Sequence, residues 1–438
     1  MAFPETRARR RTTVLATLLA SAALAFMSIG AAAQDETSYR SNYADPVPKQ
    51  AMADMMSYCT EQTGVSVSIN TLQHEDYQNT FSQAIQADPE DILAWFAGYR
   101  MRFFADQGLF SSATSVWDEI GGNYSDAFKA ASTGNDGEQY FVPIYNYPWV
   151  VIYRPSVFEA NGWEVPATLD DLMAIGDDAL AKGIIPLAFA DKQGWPAMGT
   201  FDILNMRING YDFHVGLMAG EESWTDPRVK TVFETWKELT PYLQEGALGR
   251  DWQEAAQALF KGEAAMYFLG TFAGEQIPPT LGEGASQEDI DALYADVNFF
   301  PFPLAGTEFD AEMGIDAPID GLVLSTNGGE SDAAKAILAC VGTGAAQDIF
   351  LAASPNNVAA ANDADTSAYT PFQQRMAEII AGSGAIAQFL DRDTRPDFAG
   401  PQGMQGFLQN FLDNPDQDLD AFLQGIQDFW DTLPPLSV

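Results

Sequence analysis

Residues 65–72, VSVSINTL, alternate apolar and polar side chains and are rich in β-branched residues, the pattern of a half-buried strand. A helix is predicted before it over 46–62, with Pro46 and Pro48 near its start and Gly64 past its end. A second helix follows over 75–87, then a short apolar strand, DILAWF (91–96). Strand, helix and strand at this spacing predict an α/β domain with parallel pairing.

Further along, FVPIYNYPWVVIYR (141–154) is strand-rich, with Tyr145, Tyr147 and Trp149 on alternate positions. Thr168 is an N-cap and Gly183 a stop for the helix between them. Apolar strands are expected at 184–190, 264–270, 296–303 and 319–325, with helical segments leading up to about residue 263. The C-terminal part reads as helices over 332–352, 371–382, 401–412 and 417–433, and 278–290 and 304–318 read as loops. No internal repeat or low-complexity tract interrupts this order.

At 438 residues the chain exceeds what one core usually covers, so two domains are expected. Residues 1–33 are set apart: four arginines between Arg7 and Arg11, an apolar run from Val14 to Ile29, then Ala31, Ala32 and Ala33 before Gln34. That is the layout of a secretory signal peptide, with an apolar run too short for a good membrane span. The paired arginines suit the twin-arginine route, although Thr12 and Thr13 fit its pattern poorly. No cysteine stands at the cleavage point, so a free periplasmic protein rather than a lipoprotein is expected.

The net charge is −39, and removing four Arg and one Glu with the leader makes it more negative. Such a body repels phosphate backbones, so nucleic acid is not an expected partner. Cys59 and Cys340 are the two cysteines, both in helix-like segments; a disulfide and two buried thiols both remain open. His74 and His214 lie far apart and form no metal-ligand spacing, and no cofactor is expected.

Several segments occur in a telling order: QGLF (107–110), QYFVPIYNYPWVVIYRPSVFEANGWEVPATLDDLMA, WTDPRVKTVFETWKEL, FKGEAAMYFLGTF, VNFFPFP, DGLVLS and NNVAAANDADTSAYTPFQQ. Over nearly the whole mature chain this series resembles the extracellular solute-binding proteins of carbohydrate ABC importers, the maltose-binding-protein-like family. The resemblance implies a two-lobed periplasmic-binding-protein fold, α/β in both lobes, with a ligand cleft between them. It implies a hinge crossed three times, near 145–150, 300–304 and 345–352. One lobe would hold 35–147 with 301–344, the other 148–300 with 345–438. The implied function is capture of a mono- or oligosaccharide by lobe closure and its delivery to a membrane permease, by a monomer without chemistry of its own.

A sugar presents apolar C–H faces and a rim of hydroxyls, so its site needs flat aromatics and planar bidentate hydrogen-bonding groups. Ligands of open α/β sheets sit beyond the carboxyl ends of strands, which selects candidates. Gln73, His74 and Asp76 follow the 65–72 strand; Trp95 and Phe96 end the next. Trp195 stands in a Gly-Trp-Pro turn, with Asp202 shortly after it, where Asp202 can take a hydroxyl or serve a helix N-terminus. Gly270 and Phe272 end the 264–270 strand, and Asp320 opens the 319–325 strand. Asn356 and Asn357 are amide candidates in a loop, while Trp252 reads as packing on an amphipathic helix. FLDRDTRPDF (389–398) concentrates Arg392 and Arg395 among aspartates, and Pro396 keeps it from being one helix face. One arginine is expected to touch ligand and the other to fasten the loop, and an acidic sugar is among the ligands such a pair suits.

Two other classes compete. A secreted carbohydrate-active enzyme needs two opposed carboxylates, and no Ser-His-Asp order or metal motif supports catalysis. A binding protein for a polyamine or compatible solute would want acids and aromatics without a cleft arginine.

Overall fold

The computed structural model describes residues 35–434; the leader expected over 1–33 lies outside the described residues. The strands in chain order are β1 (Glu36–Ser41), β2 (Ser66–Thr71), β3 (Ile92–Phe96), β4 (Phe110–Ser111), β5 (Phe141–Asn146), β6 (Trp149–Tyr153) and β7 (Ile185–Ala188). β8 (Ala264–Gly270), β9 (Asn298–Phe300), β10 (Ile315–Asp316), β11 (Ile319–Ser325), β12 (Val358–Ala359) and β13 (Ile386–Ala387) complete them.

Two main sheets result. The first has the order β12-β5-β11-β3-β1-β2, with β4 also on β11; the second has the order β7-β8-β6-β9. β2 and β3 run parallel, as the sequence pattern predicts, but on either side of β1, which the pattern does not show, and β11 enters antiparallel between β3 and β5. The second sheet is likewise mixed, with β7 parallel to β8 and β6 antiparallel to both its neighbours. The reversal of β11 matters for the site: its first residues, not its last, lie beside the carboxyl ends of β3 and β5. Asp320 is thereby set opposite Phe96 and Tyr145.

Local signals explain the helices around these sheets. The helix Leu169–Lys182 starts at Thr168, whose hydroxyl accepts from Asp171 N, and stops at Gly183 in the left-handed region (φ 72°). The helix Pro46–Thr63 buries Met52, Met55, Met56 and Cys59 and packs against the helices Asp332–Val341 and Gly344–Ala353. There Cys59 and Cys340 are joined in a disulfide, with Cα atoms 5.7 Å apart. The segment 278–290, expected as a loop, carries the ends of two helices, Ile277–Leu281 and Gln287–Ala295; Ser286 caps the second with its hydroxyl.

The chain passes from the first sheet to the second between Asn146 and Trp149, and returns between Phe300 and Ile319. The third passage differs from the expectation at 345–352. Gly344–Ala353 packs on Pro46–Thr63, and β12 pairs with β5, so the chain stays with the first sheet through Ala359. It leaves before helix Pro371–Gly382, where Phe372 packs edge-on against Phe299 of β9. The apolar, N-capped run over 344–353 reads equally well on either lobe, and only its packing on Pro46–Thr63 and the pairing of the two-residue β12 decide it.

Candidate functional site

A cavity of about 130 Å³ opens between the two sheets, walled by the ends of β3 and β5, the start of β11, and the loops after β7 and β8. Its base is an ion pair. Arg392 Nη1 donates to Asp320 Oδ1 at 2.6 Å, and Arg392 Nη2 donates to the Tyr147 hydroxyl at 3.1 Å. Tyr145 donates its hydroxyl to the other Asp320 oxygen at 3.1 Å. The guanidinium lies 4.1 Å from the centre of the Phe96 ring, a cation–π contact on its apolar side. Arg392 and Asp320 are both 7% exposed. Burial pushes the Asp320 carboxyl up, and the Arg392 guanidinium and Tyr145 hydroxyl hold it back.

The run 389–398 divides its charges among separate tasks. Asp391 accepts from Arg100 Nη1 at 2.5 Å, tying this loop to the helix after β3. Asp393 is half-buried and accepts from the backbone N–H groups of Gln388 (2.7 Å) and Phe389 (3.3 Å); shielding from water pushes its carboxyl up to about 6. These two bonds hold Phe389 at φ 125°, a strained conformation for a bulky residue. So held, the Phe389 ring stacks on Trp149 in the cavity wall, with centroids 4.8 Å apart. Arg395 turns away to pair with Asp397 (2.6 Å) and to donate to the Pro434 carbonyl.

Aromatics line the opposite side. The Trp195 ring lies 6.3 Å from both Trp149 and Trp252 and 6.0 Å from Phe272. His74 is edge-on to Trp195, and its Nδ1 lies 3.3 Å from Asn42 Nδ2. Burial lowers the His74 imidazole to about 4, so it is neutral at pH 7 and offers one donor and one acceptor. Asp45, Glu75 and Glu275 complete the lining, and burial pushes all three carboxyls up. Asp45 accepts from Gln253 Nε2 (3.2 Å) and Gln276 Nε2 (3.4 Å), both from the side of the second sheet.

Of the residues selected from sequence, Gln73, His74, Phe96, Trp195, Phe272, Asp320 and Arg392 come together around this cavity. The others lie elsewhere, each for a physical reason. Trp95 precedes Phe96 on one strand and so faces the opposite side of the sheet, where it stacks on Phe81 at 3.6 Å in the core. Asp202 is buried in helix Pro196–Asn209 and accepts from Leu390 N at 2.7 Å, which positions the arginine loop from behind. Asn357 is buried and donates to the Ser354 hydroxyl. Asp76 lies on a neighbouring outer cavity. Gly270 supports the wall: a Cβ there would meet Phe272 Cε1 at 2.4 Å and Tyr147 Cδ2 at 3.0 Å. Arg395 is outside the lining.

Tyr145, Tyr147, Trp149, Trp252, Glu275, Phe389 and Asp391 line the cavity but were not selected from sequence. Tyr147 and Trp149 flank the first passage between sheets, and their alternation with Tyr145 was a usable signal. Trp252, read as packing, is both: its helix is amphipathic, and its ring edge meets Phe272 at 5.2 Å.

Comparison with known proteins agrees with this architecture. The family model for bacterial extracellular solute-binding proteins matches residues 33–348. An ABC transporter extracellular-binding protein of Pyrococcus horikoshii is 27% identical over 306 residues, 69% of this chain and 65% of that protein. A probable sugar-binding periplasmic protein of Mesorhizobium japonicum is 29% identical over 30% of this chain and 32% of its own length. The chain thus spans less than two thirds of the length of these relatives. Among solved structures, the bacterial solute receptor AcbH, described as having an exclusive preference for β-D-galactopyranose, is 41% identical, with a TM-score of 0.85. That match covers 91% of this chain and 99% of the receptor. A chitin oligosaccharide binding protein shares the fold, at 22% identity and a TM-score of 0.77 over 90% of this chain and 98% of its own.

Proposed function

Because this chain belongs to the bacterial extracellular solute-binding proteins, we propose that it is the carbohydrate-binding subunit of an ABC importer. It captures a sugar in the cleft between its sheets and hands it, unchanged, to a membrane permease. The observation that carries the reading is the cavity itself: aromatic rings of Phe96, Trp195, Phe272 and Phe389 share its lining with the Arg392–Asp320 pair. Rings suit the C–H faces of a pyranose, and the paired charges suit its hydroxyls. A cavity of about 130 Å³ is on the scale of the ~150 Å³ that accommodates one six-membered ring in a protein interior. The ring best supported is galactopyranose, the preference ascribed to the receptor that is 41% identical. The protein acts in the periplasm, as a monomer without cofactor, and closure is its mechanism.

The same geometry favours a neutral sugar over an acidic one. Arg392 already spends its charge on Asp320, and Asp45, Glu75 and Glu275 have no ion-pair partner among the described residues. A uronate would meet acidic side chains and no unpaired arginine or lysine among the cavity's lining. Those three acids beside Trp195 and Trp252 favour one second reading, an amine-bearing solute. Burial, however, raises all three carboxyls toward the neutral form, which serves hydroxyls better than an ammonium.

A thermal-shift screen of the mature chain against galactose, glucose, xylose, galacturonate and spermidine tests the reading. A ligand at about 100 times its Kd adds about 2.7 kcal/mol of stability. Stabilisation by a neutral sugar, recovered chemically unaltered, is expected. A shift with spermidine alone would transfer the site to amines, and consumption of the sugar would make the protein an enzyme.

A further inference from the structure

Behind the arginine loop lies a knot of polar side chains outside the cavity lining. Asp202, on helix Pro196–Asn209, and Asp316, in β10, are both fully buried. Asp202 Oδ2 accepts from Leu390 N at 2.7 Å. Its Oδ1, and both oxygens of Asp316, have no hydrogen-bond partner among the described residues. Buried polar atoms are ordinarily satisfied, so these three call for a group that completes them. We propose that Asp202 and Asp316 share one proton, and that this proton sets the Arg392 loop for binding, so that the cleft loosens its hold on ligand as the surrounding pH rises. The proposal rests on the carbohydrate reading above and adds its regulation.

The fold couples the two carboxyls to the loop. Strand β10 packs on helix Pro196–Asn209, and Arg207 Nη1 of that helix donates to the Gly314 carbonyl at 2.7 Å. β10 also runs parallel to β13, with Asp316 opposite Ala387, at the root of the loop. Leu390, held by Asp202, stands two residues before Arg392. A displacement of either acid is thereby passed to Phe389 and Arg392, which line the cavity.

Neighbouring charges give the pair no other counterpart. His214 Nε2 is 3.9 Å from Asp202 Oδ1, beyond hydrogen-bond reach. Asn205 accepts from Asn209 Nδ2 at 2.8 Å, so its own amide donates to His214 Nδ1 at 3.1 Å and leaves the imidazole proton on Nε2. Burial lowers His214 to about 3, which keeps it neutral. Arg207 donates to the carbonyls of Phe302 and Gly314, Arg392 is paired with Asp320, and Asp391 with Arg100. Asp393 is met by two backbone N–H groups and Asp310 by three, while Glu312 accepts from Tyr211 N.

Asp202 and Asp316, both ionised, would be like charges in a buried place, the arrangement in which two carboxyls hold a proton in common. Burial first, and then a neighbouring acid (Asp316 for Asp202, Asp393 for Asp316), pushes both carboxyls up. The proton is therefore kept at neutral pH and lost as pH rises through the folded-state value. Once it is lost, an ionised Asp316 competes with Asp320 for Arg392, whose charge it feels directly.

Isothermal titration of the mature chain with D-galactose, D-glucose and D-xylose at pH 6.5, 7.5, 8.5 and 9.5 tests this, alongside Asp316→Asn and Asp202→Asn, each shown to be folded at every pH. Asp202→Asn keeps the acceptor for Leu390 N. One linked proton changes affinity by up to about ten-fold per pH unit, so the wild-type chain is expected to lose about ten-fold more affinity over this range than either variant. Asp45, Glu75 and Glu275 in the lining contribute a slope common to all three proteins. The infrared band of protonated carboxyls reads the pair without ligand: the wild type is expected to carry one more protonated carboxyl at pH 7.5 than the double variant. Equal affinity slopes in wild type and variants would overturn the proton's control of the loop, and an infrared difference of none or of two would overturn the shared proton. Silence with every sugar would overturn the carbohydrate reading and the link to affinity with it, whereas the infrared difference stands or falls on the pair alone.

Discussion

Arg392 and Asp320 meet at 2.6 Å, 72 residues apart in sequence, and their pair closes the inner end of the cleft. Both are buried, so each is costly without the other. Arg392→Ala should therefore destabilise the fold by about 3–5 kcal/mol and abolish sugar binding in the fraction that folds. Arg395, three residues on, makes the contrast. Its partners are Asp397 and the Pro434 carbonyl, so Arg395→Ala should cost about 1–3 kcal/mol of stability with sugar affinity unchanged. Urea melts and titration on both variants separate the two roles.

The tryptophans allow a similar contrast. Trp195→Ala removes a ring from the cavity and should weaken binding by about 1–3 kcal/mol. Trp95→Ala empties the core beside Phe81 and Phe104 and should cost about 3–5 kcal/mol of stability, with little change in Kd for the folded protein.

Stability should fall with rising pH between about 6.5 and 8. Asp191 is buried, and its carboxyl accepts a single hydrogen bond, from Ala197 N, and is pushed up to about 8 by burial. The unfolded chain ionises this group near ~3.9, so in this window the folded state holds the extra proton. One such group lowers stability by up to about 1.4 kcal/mol per pH unit. The histidines oppose this decline near pH 6.5, because burial keeps His74 and His214 neutral in the fold while unfolded histidine titrates near ~6.5, so the fall is clearest from about 7 to 8. Asp202, Asp316 and Glu275, also pushed up by burial, add slope of the same sign. Asp191→Asn, which keeps the acceptor for Ala197, should make the decline measurably shallower in urea melts at pH 6.5, 7, 7.5 and 8.

The Cys59–Cys340 disulfide clips two helices across 281 residues of chain. Reduction, or the paired Cys59→Ser and Cys340→Ser substitutions, should lower stability by about 2–4 kcal/mol. Intact-mass measurement after alkylation, with and without reductant, establishes whether the bond forms in the secreted protein.

Much of this was legible in the sequence, and the failures share causes. Long periodic elements and their caps, such as Thr168 to Gly183, lie where the pattern predicts. β1 does not read as a strand, because in ETSYRS only Tyr39 is apolar among the buried positions; Thr37 and Ser41 are buried as polar groups. It is nonetheless an inner strand of its sheet. Choosing residues at strand ends found Phe96, Asp320 and Trp195 but could not separate Phe96 from Trp95, because the facing side depends on which surface the partner lobe covers. Phe389 and Glu275 were illegible for a different reason: they reach the cavity through a strained backbone and a 3-10 turn, which leave no periodicity to read.

The central claim is that one pyranose ring binds in the cavity between the sheets. Isothermal titration of the folded mature chain with D-galactose and the other neutral monosaccharides tests it most directly. The account predicts saturable heat with one equivalent per chain for at least one of them, lost in Arg392→Ala and weakened in Trp195→Ala. Absence of saturable heat for every neutral sugar, alone or as a terminal ring, in protein shown to be folded would contradict it.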